Sequence, residues 1–208
     1  MQVLIVGEDA VTRSILKRLF NIFKPDIEIS PREEPVRGGS QIKKRINNYI
    51  KLAQNGISVA ILIDADTECP PSIKSNWLGC IVPPNNFLFR IATDEAESWL
   101  LADRDNLSTY LKVGKKHIPL ATVQGNEQEI SFSLSYKSSL YLMKDIAVHS
   151  KSLKIREQLT PRNLSKKGPE YNSALIPFIQ TIWNPIKAQE NSSSLKRAVD
   201  RIKEFHAD

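Results

Sequence analysis

The chain has 208 residues, of which 41% are hydrophobic and 25% charged. That composition provides for a packed core and excludes disordered, fibrous and collagen-like classes. No apolar run reaches the ~20 residues of a membrane-spanning helix, so no membrane partner is expected.

The chain enters a strand-like run at once: Val3, Leu4, Ile5 and Val6, followed by Gly7, Glu8 and Asp9. No basic leader or cleavage site precedes it, so no export signal is expected. Val11, Ile15, Leu16, Leu19, Phe20 and Phe23 then recur at helical spacing, and Pro25 ends that helix. Ile27 and Ile29 suggest a short second strand. Arg37, Gly38, Gly39 and Ser40 lead into a helix over 41–54, with Ile42, Ile46, Tyr49, Ile50 and Ala53 on one face. A third strand over 57–63 runs into Asp64, Ala65 and Asp66. A helical turn is expected over 72–78, a fourth strand over 87–92 and a short helix over 95–102. Strands alternating with helices predict parallel βαβ units with right-handed crossovers.

Beyond Asp103 the alternation stops. Helices are expected over 107–111, 140–159, 174–183 and 195–205, and the polar stretch 120–139 reads as loop. The organisation is thus an α/β core over 1–103 and a mainly helical extension over 104–208.

The net charge is +6 and the pI ≈ 9.3. Lys151, Lys154, Arg156, Arg162, Lys166 and Lys167 crowd one segment opposed by Glu157. A basic chain with a local acidic cluster fits a nucleic-acid partner; Arg37, Lys166 and Lys167 are the candidate contacts. Cys69 and Cys80 form no zinc-like set with His117, His149 or His206, and reduced cytoplasmic thiols are the expected state.

Continuous aliphatic runs read as strands buried on both faces, and ligands of such sheets lie beyond the carboxyl ends of the strands. Glu8, Asp64 and Asp66 are therefore expected together at one edge, as hard oxygen ligands for Mg²⁺ or Mn²⁺. The D-x-D is expected to send both carboxylates to one side by strand alternation. In the segment 93–103, Asp94 and Glu97 have capping-box spacing. Glu95 and Glu97 are divided between metal site and cap, and Asp103 reads as structural. The R-G-G-S run offers backbone N–H groups to a phosphate or, more simply, a turn and helix cap.

Glu8 after the first strand and Asp64-x-Asp66 after the third resemble the TOPRIM fold of topoisomerases, primases and OLD-family nucleases. The R-G-G-S run and the stretch from Glu95 to Asp103 are similar to a family of small stand-alone TOPRIM-like proteins of unknown function, as are Lys167-Gly168-Pro169-Glu170-Tyr171 and Ser194-Leu195-Lys196-Arg197-Ala198. Such proteins accompany OLD-type ATPases in prokaryotic phage-defence loci. The resemblance implies Mg²⁺- or Mn²⁺-dependent phosphodiester hydrolysis, with Glu8 as general acid/base or ligand, Asp64 and Asp66 as ligands, and Glu95 or Glu97 at a second metal. Familiar TOPRIM starts have Glu followed by Gly, whereas here Gly7 precedes Glu8 and Asp9 follows, which leaves Glu8 and Asp9 both open as the active acid. The stretch from Leu4 to Leu19 is also similar to the start of response-regulator receiver domains, which would make Asp64 or Asp66 a phosphoacceptor. A non-catalytic TOPRIM-like module binding an ATPase is the third alternative.

Overall fold

The computed structural model describes residues 1–32, 34, 38–162 and 165–207; Arg37, a candidate nucleic-acid contact, lies outside them. The chain divides into two compact units, Met1–Thr93 with Arg197–Asp208, and Asp94–Lys196. The division falls earlier than the expected boundary near Asp103. The short helix that follows the fourth strand packs on helices of the second unit, so Trp99, Leu100 and Leu101 bury their side chains there.

In the first unit, β1 (Gln2–Gly7), β2 (Glu28–Ile29), β3 (Ser58–Asp64) and β4 (Phe87–Ala92) form one sheet of order β2-β1-β3-β4. Every pairing is parallel, with Gly7 opposite Leu62 and Asp64 opposite Ala92. The expected α/β class with a parallel sheet flanked by helices is found. Apolar runs in β1 and β3 are buried at nearly every residue, as strands covered on both faces must be. Leu4, Val6, Val59, Ile61 and Ile63 point to the face covered by α2 (Gly39–Gln54) and α3 (Pro70–Leu78). α1 (Ala10–Phe23) packs against β1 and β3, and its Phe20 meets Phe205 edge-on at 5.4 Å between ring centroids.

The second unit holds α4 (Glu97–Leu101), α5 (Arg104–Leu111), the hairpin β5 (Thr122–Gln124) and β6 (Glu127–Glu129), α6 (Ser138–Tyr141), α7 (Leu153–Leu159), α8 (Tyr171–Thr181) and α9 (Pro185–Ala188). α10 (Ser193–Lys203) begins in this unit, and its residues from Arg197 belong to the first. Trp99 and Trp183 anchor the second core: the Trp99 indole N–H donates to Ser194 Oγ at 2.7 Å, and that of Trp183 to the Trp99 carbonyl at 3.2 Å.

Two expectations change here. The hairpin lies within 120–139, expected as loop, and pairs antiparallel. The single helix expected over 140–159 is broken into α6, a π turn over Leu142–Ile146, a 3₁₀ turn over Ala147–His149, and α7. At that break Ser150 Oγ donates to the Leu111 carbonyl at 2.5 Å and Lys151 N to that of Lys112 at 2.9 Å. The backbone thus bonds to the end of α5 instead of continuing its own spiral. Among the described residues, no helix is long and apolar enough to cross a membrane.

Candidate active site

The adjacent parallel strands β1 and β3 end side by side, which brings Glu8 to Asp64. Glu8 follows the last residue of β1 and is half-buried. Its Oε1 accepts from the Asp64 backbone N–H at 3.0 Å and its Oε2 from the Gly39 N–H at 2.9 Å. Gly38 N donates to the Glu8 carbonyl at 2.9 Å. The carboxylate therefore clasps the end of β3 and the start of α2, where helix N–H groups have no partner within the helix.

That closeness explains Gly39. A Cβ there would lie 2.8 Å from Glu8 Oε1, inside van der Waals contact. Gly38, just before the helix, has φ of +80°, a conformation that glycine adopts without strain. Gly38 and Gly39 thus lead into α2, and the Gly39 N–H meets a protein carboxylate. Sequence reasoning missed this pairing; two glycines opening a helix were the available signal of a close approach.

Asp9 has separate work. Its Oδ1 accepts from Thr12 N at 2.9 Å and from Thr12 Oγ1 at 3.0 Å, capping α1. Among the two acids that follow β1, Glu8 faces Asp64. Burial pushes the Glu8 carboxyl above its ordinary range, the N–H groups of Asp64 and Gly39 pull it back, and the negative charges of Asp66 and Asp9 push it up again.

β3 ends at Asp64, which is partly buried, whereas Asp66 is exposed. Asp66 has φ of +51°, in the left-handed region. The strand alternation expected to align the two carboxylates does not extend to Asp66, because the backbone has left the pleat. Asp66 still acts electrostatically on Glu8. Asp is among the few residues that tolerate this conformation.

The remaining acids lie in the second unit. Asp94 Oδ2 accepts from Ser138 N at 2.9 Å and from Ser138 Oγ, so it caps α6. Glu95 Oε2 accepts from Ser139 N at 2.7 Å, with Lys137 Nζ 3.8 Å from Oε1. Glu97, only 3% exposed, accepts at Oε1 from the Tyr171 hydroxyl at 2.8 Å. Asp103 Oδ2 accepts from Asn184 N at 2.8 Å and Asn106 Nδ2 at 2.9 Å, a structural role as expected. Lys166 and Lys167 are exposed, and Lys167 Nζ stands 4.7 Å from the Tyr171 ring centroid.

Among the described residues, no three His, Cys, Asp or Glu side chains stand together as a ready set of metal ligands. Carboxylate oxygens such as those of Glu8, Asp64 and Asp66 are of the type that Mg²⁺ takes, one or two at a time with waters and substrate oxygens.

Comparison with protein-family models, curated proteins and solved structures gives no match to this chain.

Proposed function

We propose that the chain is a TOPRIM-like, metal-dependent nuclease acting on phosphodiester bonds of DNA or RNA, with Glu8, Asp64 and Asp66 as its working carboxylates. The observation that supports it is the clasp of Glu8: a half-buried carboxyl at the carboxyl edge of two adjacent parallel strands, gripped by two backbone N–H groups and pressed by neighbouring acids. Asp64 and Asp66 would hold Mg²⁺ or Mn²⁺, which supplies neutralisation of phosphate charge when bound. Glu8, raised above the ordinary carboxyl range, exchanges a proton closer to neutral pH than a free glutamate does. Its two backbone donors fix the direction in which that proton is given or taken, which is the positioning such catalysis needs. Exposed Lys166 and Lys167 supply positive charge for a polyanionic strand. The resemblance to proteins of phage-defence loci makes an OLD-type ATPase the partner to supply in the assay.

The test is cleavage of DNA and RNA by the purified chain with Mn²⁺ or Mg²⁺, alone and with a neighbouring ATPase. Cleavage lost in Glu8→Gln and Asp64→Asn supports the proposal. Mn²⁺ titrations unaltered by Asp64→Asn and Asp66→Asn would overturn the metal assignment.

The contact of Asp64 N with Glu8 also favours a second reading, a receiver-like phosphoacceptor, since it brings an aspartate at the end of β3 against an acid following β1. A small phosphodonor would then label Asp64 or Asp66. With neither cleavage nor labelling, a non-catalytic module for the ATPase is what stands.

A further inference from the structure

Away from Glu8, the first unit carries a cavity of about 540 Å³ beside β4, lined among others by Lys74, Leu88, Arg90, Arg201 and Phe205. Arg90 interrupts an otherwise apolar strand, Phe87–Ala92, and is partly buried. Its Nε is buried with no hydrogen-bond partner among the described residues. The charges that act on it are those of Arg197 and Arg201, one turn apart on α10 and both positive. Burial, then these two repulsions, lower the guanidinium to about 10, far below its ordinary range. Glu204 also lines the cavity, but its Oε2 is taken by Arg201 Nη1 at 2.8 Å on the exposed side.

A guanidinium with a buried, unanswered N–H is costly, and an anion supplies the missing hydrogen bond. A phosphate matches the guanidinium fork with two oxygens. Leu78, Val82, Leu88 and Phe205 give the same cavity apolar wall, and its volume is that of small-molecule sites. We propose that this cavity binds a phosphomonoester of mononucleotide size, with Arg90 and Arg201 on its phosphate and the apolar wall against its organic body. The site shares no residue with the proposed hydrolytic centre and does not depend on it.

Calorimetric titration of the full chain with inorganic phosphate, AMP and a 5′-phosphorylated dinucleotide tests this. One-site binding is expected, tighter for AMP than for inorganic phosphate, and weakened more than about tenfold in Arg90→Gln and Arg201→Gln. The dinucleotide arm distinguishes sources: binding as tight as AMP marks the end of a nucleic-acid strand, and weaker binding a free nucleotide. Arg201 is exposed, so Arg201→Gln remains a fair test even if Arg90→Gln folds poorly. Glu8→Gln should bind AMP as the wild type does, which separates this site from the proposed hydrolysis. Absence of saturable binding at millimolar AMP overturns the proposal. So does unchanged affinity in Arg201→Gln, or an oligoglutamate peptide that binds where AMP does not.

Discussion

Glu8 in the first unit and the acidic run from Asp94 to Asp103 in the second are answered in different ways. In the second, Asp94, Glu95, Glu97 and Asp103 each meet donors on other elements: Ser138, Ser139, Tyr171 and Asn184. Such carboxylates tie segments distant in sequence and make the acidic run from Asp94 to Asp103 a set of fastenings. In the first, Glu8 also has two donors, but the charges acting on it are those of Asp66 and Asp9. A carboxyl pressed by other carboxyls needs a proton or a cation. The same residue types therefore serve architecture in one place and, in the function proposed, chemistry in the other.

The largest effect that sharpens this contrast is expected from Glu8→Gln. Loss of a general acid/base lowers cleavage by about 10²–10⁴-fold. The amide also sets an NH₂ against one of the N–H groups of Asp64 or Gly39, which lowers stability by about 1–3 kcal/mol. Cleavage rates and denaturant unfolding read both; a variant of normal activity would make Glu8 a fastening like the others.

Tyr171→Phe strikes the second unit. It removes the hydroxyl that donates to buried Glu97, with an expected loss of about 1–3 kcal/mol and unaltered Mn²⁺ affinity. A fall in Mn²⁺ affinity would instead place Glu97 among the metal-holding acids and erase the contrast.

Gly39→Ala tests the same clasp from its other side. The added Cβ meets the flexible end of Glu8, so the carboxylate swings aside and leaves the N–H groups of Asp64 and Gly39, at a cost of about 1–3 kcal/mol. Cleavage and the unfolding midpoint should both fall toward those of Glu8→Gln.

The pH dependence follows from the upward push on Glu8. The unfolded chain ionises this group near 4.5, and the folded chain keeps its proton to higher pH. Its contribution to stability is therefore full below 4.5 and is lost as pH rises through the folded value. Above pH 4.5, as pH rises through the folded value, the wild type should lose stability relative to Glu8→Gln; parallel curves would show an ordinary carboxyl.

The smallest effect is expected from the Lys166→Gln, Lys167→Gln pair. Each lysine that neutralises a phosphate steepens the salt dependence of nucleic-acid binding by about 0.7–0.9 in log–log slope, so its removal should flatten the slope by that amount. Binding titrations over a range of salt concentrations read it, and an unchanged slope would take these two lysines off the strand's path.

The sheet was legible because its signal is local. Val3–Val6 and Val59–Ile63 are uninterrupted aliphatic runs, and only burial on both faces accommodates them. Glu8 and Asp64 could be placed together because strand ends converge in a parallel sheet. Asp66 could not be oriented, since its left-handed backbone leaves no trace in D-x-D. The partners of Glu95 and Glu97 lie 44 and 74 residues away, beyond any spacing rule. The hairpin escaped notice because Thr122–Gln124 is exposed throughout and shows no apolar alternation. Glu129, fully buried, accepts from Ser192 Oγ and Ser194 N, which no motif announced.

The sheet has two unlike edges, with a consequence for how copies of the chain behave at high concentration. β2, at one edge, is two residues long and offers little backbone for another strand to pair with. β4, at the other, is six residues long and rich in Phe, Leu and Ile, a template for edge-to-edge aggregation. Arg90 sits in its middle, and a partly buried charge within an edge strand is the kind of residue that disfavours its extension by a foreign strand. The residue that borders the neighbouring cavity is thus expected to weigh against fibre-like assembly as well.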